Sequence, residues 1–347
     1  LQWAREQVLE FKALVKKGID PRDHKRDEQE SARQANNLNK NTFYKVAKSY
    51  IAENQSSWRS NVTKKQWPNS LRDYVYPIIG SKPVHLITIH DVLSVLRPIW
   101  SEKTTTATRV RSRIENILDY ATTLEMRQGN NPAIWRGNLS KVLPAPKKVH
   151  KIKSHSAVSY TELHSFLMEL RERKGVGARA LEFTILTGSR TRPLLLAKWE
   201  DIDFDNSIWN CPEDNMKSRK FFRIPLCEPA MEIINNQRKT SRGEYIFGHE
   251  QTGKRSSNNC MLYTIYRMGY RGKVTTHGMR STMRDWAGET TKYSERIVEV
   301  CLDHTVNTAV EAAYQRGDYL IKRREIMDGW GRFCYPSENK VIHISRR

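Results

Sequence analysis

Six side chains in the C-terminal half of the chain carry chemistry that belongs together. Arg190 stands in Thr187-Gly188-Ser189-Arg190 and Lys217 in Met216-Lys217-Ser218. His277 and Arg280 share His277-Gly278-Met279-Arg280, His304 ends Cys301-Leu302-Asp303-His304, and Tyr314 lies in Ala312-Ala313-Tyr314-Gln315-Arg316. Guanidinium groups are permanently charged planar forks that match phosphate oxygens. Histidine titrates near neutrality and can move a proton. A phenol, with a pKa of about 10, attacks only as it loses its proton. These residue types suit work on a phosphate ester. Each one alone has an ordinary explanation: Arg190 as an ion-pair residue at a helix end, Lys217 as a turn lysine, His277 and His304 as core histidines, Tyr314 as a core aromatic. One site explains the set better than six separate coincidences.

The charge of the chain agrees with that reading. Its 347 residues include 59 Lys and Arg against 38 Asp and Glu, a formal net charge of +21. Such an excess repels itself in a compact fold unless a polyanion takes it up. Nucleic acid does so with release of counterions. A membrane surface would instead favour a basic helix with a broad apolar face, and no segment is dominated by one. No apolar run approaches the roughly 18 residues of a spanning helix, and Leu1-Gln2-Trp3-Ala4 does not begin a signal peptide. The absence of an initiator Met reads as a fragment whose N-terminus has been removed. Cys211, Cys227, Cys260, Cys301 and Cys334 are scattered without a C-x-x-C pair. That spacing predicts reduced thiols in a cytoplasmic protein and indicates no metal site.

The elements that must position these groups are mostly helical. Leu1, Ala4, Val8, Phe11 and Val15 recur at helical steps over residues 1–17, with Gly18 and Pro21 as stop signals. Residues 22–41 are polar without an apolar stripe and read as a linker. From residue 42 to about 140 the pattern is helical, with Asp91 read as a helix cap. The clearest helix runs from Thr104 to Met126, burying Ala107, Val110, Ile114, Ile117, Ala121 and Leu124. Arg109, Arg111 and Arg113 are expected on its other faces, in contact with phosphates. Pro144 and Pro146 then precede Lys147, Lys148, Lys151 and Lys153, a stiff basic linker suited to lie along a DNA backbone. Beyond Ser159 come two helices. Ile208-Trp209-Asn210-Cys211 and Phe221 to Leu226 read as strands of a small antiparallel sheet, and the pattern is helical again beyond Asn259.

The motifs T-G-x-R followed by W-x-D-I-D, M-K followed by R-I-P-L, then H-G-x-R, L-x-H and A-A-Y-x-R, resemble the tyrosine recombinases, and within them the integrases of phages and genomic islands. No single motif is specific, but their joint order is. The resemblance covers Ser159 to Phe333 and, more loosely, the helical region before it. It implies a mainly α fold: a helical core-binding domain and a mostly α catalytic domain with a small antiparallel sheet, closing as a clamp around duplex DNA. The expected domains are residues 1–20 as the last helix of an arm-binding domain, 21–41 as linker, 42–143 as core-binding domain, 144–158 as basic linker, 159–335 as catalytic domain and 336–347 as tail.

By the same resemblance the catalytic roles fall on Arg190, Lys217, His277, Arg280, His304 and Tyr314. Tyr314 would attack, His277 take its proton, and Lys217 protonate the departing 5′ oxygen. The arginines would hold the non-bridging oxygens in place of metal ions, and His304 would add a hydrogen bond. No cofactor is implied. The implied partners are double-stranded attachment sites, three further copies of the chain on two duplexes, and DNA-bending or directionality proteins. The expected location is the bacterial cytoplasm, at the nucleoid. The position three after Arg190, acidic in the family, is Pro193 in this chain, so another group must orient the neighbouring side chains or Arg190 is held differently. Two rivals remain: a type IB topoisomerase, which shares the chemistry, and a catalytically silent DNA-binding regulator. After Tyr314, Ile321, Ile326, Trp330 and Phe333 form one helical face and Val341 to Ile344 a short strand. Both are expected to contact a neighbouring protomer.

Overall fold

The computed structural model describes residues 2–18, 20–58, 60–150, 156–304 and 317–336. The chain divides into two compact units, Leu1–Ile152 and Lys153–Arg347. Each unit has its own apolar core.

The first unit is helical throughout. Helices α1 (Gln2–Lys16) and α2 (Pro21–Lys40) lead into α3 (Phe43–Asn54), α4 (Asn61–Tyr74), the short α5 (Tyr76–Ile79), α6 (Ile89–Trp100), α7 (Thr104–Thr123) and the short α8 (Pro146–Val149). The core gathers Phe43, Leu71, Val92, Leu96, Val110, Ile114 and Ile117. Three expectations are corrected by this unit. The segment expected as a linker is the helix α2: Asp20 accepts a hydrogen bond from the Arg22 amide at 2.8 Å and Pro21 occupies the first turn. Its sequence is polar on every face, so no apolar stripe announces it. Helix α6 is capped by Thr88 rather than Asp91. The Thr88 hydroxyl and the Asp91 carboxylate each accept from the other's amide, a reciprocal capping box. Helix α7 buries the expected face, but Leu124 lies beyond its end and is exposed.

The second unit opens with α9 (Leu163–Arg171), α10 (Val176–Thr187) and α11 (Thr191–Leu195). A three-stranded antiparallel sheet follows, β1 (Ile202–Asp203), β2 (Ile208–Cys211) and β3 (Phe222–Pro225), in the order β1-β2-β3. Trp209 pairs with both Ile202 and Ile224, which puts these three buried apolar residues, one from each strand, on the core side of the sheet. Then come α12 (Glu228–Thr240), α13 (Cys260–Arg267), α14 (Gly278–Thr290), α15 (Glu295–Cys301) and α16 (Leu320–Cys334). Cys211, Cys227, Cys301 and Cys334 are buried free thiols, and Cys260 is half-buried.

Helix α14 is fastened where the unit begins. Thr282 donates to the Val158 carbonyl at 2.7 Å, and a Cβ on Gly278 would collide with the Ser156 carbonyl oxygen. Helix α16 is fastened to the sheet: Arg223 of β3 grips the Asp318 carboxylate at 2.9 and 3.0 Å, and fully buried Arg323 donates to the Arg223 carbonyl.

The apolar face expected on α16 divides. Ile326 and Trp330 are buried within the chain, and the Trp330 indole donates to the Ile185 carbonyl at 2.8 Å. Ile321 is 79% exposed, because it stands five positions from Ile326 and so falls outside the stripe. Val341 to Ile344 lie outside the described residues. Trp330→Ala should lower unfolding stability by roughly 3–5 kcal/mol, whereas Ile321→Ala on the same helix should change it by less than about 0.5 kcal/mol. Urea unfolding followed by circular dichroism measures both, and equal effects would refute this division of the face.

Candidate active site

Helix α10 is buried along almost its whole length and ends at Gly188, which adopts a left-handed φ of +60°. A side chain there would be strained, and its Cβ would come within 2.8 Å of Leu302. The turn brings Arg190 out in an extended conformation at the start of α11. Its Nη1 donates to the Asp303 carboxylate, and its Nη2 to the Asp303 main-chain carbonyl at 2.8 Å.

Arg280 enters the same place from the first turn of α14 and is 4% exposed. Nη1 donates to the Gly188 carbonyl and Nη2 to the Leu302 carbonyl, and Nη2 also lies 3.0 Å from His304 Nε2. Burial, and after it the charge of Arg190, lowers the pKa of Arg280 to about 10, against the counter-effect of Asp303 and Glu299. It remains a cation at neutral pH.

His304 Nδ1 meets the Glu299 carboxylate, and Arg284 pairs with the same carboxylate at 2.6 Å. A carboxylate only accepts and a guanidinium only donates. Nδ1 of His304 therefore carries the proton, and Nε2 accepts from Arg280. Met216 borders the cleft together with Gly188, Arg190, Pro193, Arg280 and Asp303, and Lys217 follows it in the β2–β3 hairpin.

Arg190, Arg280 and His304 are thus brought together. His277 is exposed at the N-terminal boundary of α14, one position ahead of its first residue. Lys217 is exposed. Tyr314 lies outside the described residues. Pro193, at the position that is acidic in the family, is buried in α11, and the carboxylates in contact with Arg190 and His304 are those of Asp303 and Glu299. Sequence reasoning passed over both, although Asp303 adjoins His304 and Glu299 lies one helical turn and a residue before it.

The basic residues of the first unit separate into two kinds. Arg109, Lys147 and Lys148 are exposed. Arg109 and Lys147 share a surface cleft with His150 and with Thr104, Thr105 and Thr108 at the start of α7. Arg111 and Arg113 contradict the expectation of phosphate contact. Arg111 pairs with Glu115 at 2.6 Å and donates to the Ala133 carbonyl. Arg113 is buried against Trp67, bonded to the Gln66 carbonyl and the Ser70 hydroxyl. It stands three residues after Val110 and four before Ile117, on the buried face itself. Lys151 and Lys153 lie outside the described residues.

The proton on His304 is measurable. ¹⁵N-labelled histidine should show the neutral Nδ1–H tautomer for His304, identified by loss of its signal in His304→Gln. Glu299→Ala should move it toward the Nε2–H form that free imidazole side chains favour. An Nε2–H tautomer in the unaltered protein would refute the order of hydrogen bonds from Arg280 through His304 to Glu299.

Residues 158–319 match the phage integrase family, and residues 43–138 match the phage integrase central domain. Prophage integrase IntZ of Escherichia coli (strain K12) is 28% identical over 332 residues, spanning 95% of this chain and 79% of that protein. The integrase of enterobacteria phage P4 is 28% identical over 367 residues, 99% of this chain and 80% of that protein. In fold, the chain is similar to the crystal structure of a lambda integrase tetramer bound to a Holliday junction. The TM-score is 0.62 at 17% identity, over 78% of this chain and 76% of that one. With a helical unit, a mostly helical unit around a three-stranded sheet, and both family matches in order along it, this chain belongs to the phage integrase family, the tyrosine-type site-specific recombinases.

Proposed function

We propose that the chain integrates or excises a mobile DNA element by cutting and rejoining DNA through Tyr314. The observation that carries this reading is the convergence of Arg190, Arg280 and His304 on the turn at residues 302–304. Two guanidiniums fixed in a cleft can stabilise the charge of a pentavalent phosphorus transition state. The Tyr314 oxygen bonds to phosphorus as the bond to the 5′ oxygen breaks. The phenol proton passes to His277, and Lys217 gives a proton to the departing 5′ oxygen. His304 would add a hydrogen bond to the phosphate from its place between Glu299 and Arg280. A 5′ hydroxyl from the partner duplex then reverses these steps, and no external energy source is needed because the phosphotyrosyl bond conserves the energy of the original ester.

Arg109, Lys147 and Lys148 fit contact with the DNA backbone, and their neutralisation of phosphates would make binding salt-dependent. The tetrameric lambda integrase on its junction supports four protomers acting on two duplexes. DNA-bending or directionality proteins complete the proposed assembly. With chromosomal DNA as its substrate, the protein works in the bacterial cytoplasm at the nucleoid.

Tyr314→Phe should abolish covalent attachment to a nicked suicide substrate on a denaturing gel while leaving duplex binding nearly unchanged. An adduct formed by the Phe variant, or mapped to Tyr319, rejects Tyr314 as nucleophile. For Lys217, loss of a general acid should slow cleavage by roughly 10²–10⁴-fold. A 5′-bridging sulfur leaves as thiolate without a proton, so Lys217→Ala should cleave a 5′-phosphorothiolate substrate at close to the normal rate. Recovery by Lys220→Ala instead would give the role to Lys220.

A further inference from the structure

Asp303 has an unusual backbone and an unusual partner. Its φ is +50°, in the left-handed region that few residues other than glycine enter, aspartate among those few. This conformation lets one residue offer two acceptors to one guanidinium: the carboxylate to Arg190 Nη1 and the main-chain carbonyl to Nη2. The side chains of Arg190 and Asp303 are 21% and 13% exposed. A guanidinium has five N–H groups. Among the described residues Asp303 engages two of them, and one on each terminal nitrogen and the one on Nε can serve an anion. On either side of Asp303, Leu302 receives Arg280 through its carbonyl and His304 receives it through Nε2. The position three after Arg190 offers no carboxylate, because it is the buried Pro193.

We infer that Asp303 is a positioning residue for Arg190: it holds the fork from behind so that the remaining N–H groups face a non-bridging oxygen of the scissile phosphate. The orienting carboxylate is thereby supplied from the turn before His304 instead of from the helix after Arg190. This rests on the reading that the chain cleaves DNA.

Asp303→Gly tests it cleanly, since glycine keeps the left-handed backbone and the carbonyl and removes only the carboxylate. Single-turnover cleavage of a nicked suicide duplex by the full chain should fall by about 10²-fold with duplex binding unchanged. Asp303→Asn, whose amide oxygen can still accept from Arg190, should recover about tenfold of that loss. The decisive substrates carry a methylphosphonate at the scissile position. In one diastereomer the methyl replaces the oxygen that Arg190 holds, and there wild type and Asp303→Gly should cleave at equal rates. In the other the deficit should persist. A merely structural role would leave the same deficit on both diastereomers, and that result overturns the inference. Cleavage by Asp303→Gly at or above the wild-type rate on ordinary DNA overturns it as well. Failure of the wild type to form any covalent adduct overturns the enzyme reading instead, and the role of Asp303 with it.

Discussion

Two guanidiniums stand in one cleft, where the charge of Arg190 weakens the hold of Arg280 on its proton, and the surroundings of the cleft answer that repulsion. Arg280 is nearly excluded from water, and its depressed pKa corresponds to on the order of 3 kcal/mol of cost for keeping it charged. The sign follows from the direction. The folded state binds this proton more weakly than the unfolded chain does, so the cost is present in full below about pH 10. It fades only as pH rises through that value toward the ordinary arginine range. At neutral pH the rest of the unit must therefore outweigh it. Carbonyls of Gly188, Leu302 and Asp303 do part of this, since each presents a dipole to a guanidinium without adding a competing charge.

The secondary structure follows from that need. A carbonyl is free to face a buried arginine where a helix has just ended and its last acceptors are unused. Gly188 ends α10 in that way, and residues 302–304 leave α15 in the same manner. Helix α14 delivers Arg280 between the two ends and is itself pinned through Gly278 and Thr282. Glu299 and Arg284 then hold the imidazole beside it. The small sheet contributes the hairpin that places Met216 at the rim of the cleft.

Much of this is readable from residue types alone. Arg190, Arg280 and His304 announce themselves by motif order, and the strand residues Ile208–Cys211 and Phe222–Pro225 by their change of period. What escapes does so for physical reasons. A carboxylate's partner is set by tertiary structure, and Asp303 meets a guanidinium 113 positions away. Arg113 reads as solvent-facing only while charge is equated with exposure, whereas its spacing from Val110 and Ile117 puts it on the buried stripe. Helix α2 lacks the apolar periodicity by which helices are recognised, and only Asp20 and Pro21 betray its start.

All five cysteines belong to the second unit, and none is poised to react. Burial raises the thiol pKa at each, to about 11 at Cys227 and Cys301, and at Cys211, Cys260 and Cys334 by the same cause. Only the thiolate is nucleophilic, so at the four buried sulfurs, Cys260 being half-buried, an alkylating reagent must wait for the packing to open. The first unit contributes no thiol to that reaction. The chain therefore contains a built-in recorder: under pulse alkylation, the pace at which its four buried sulfurs become labelled measures how often the unit carrying the arginine cleft opens.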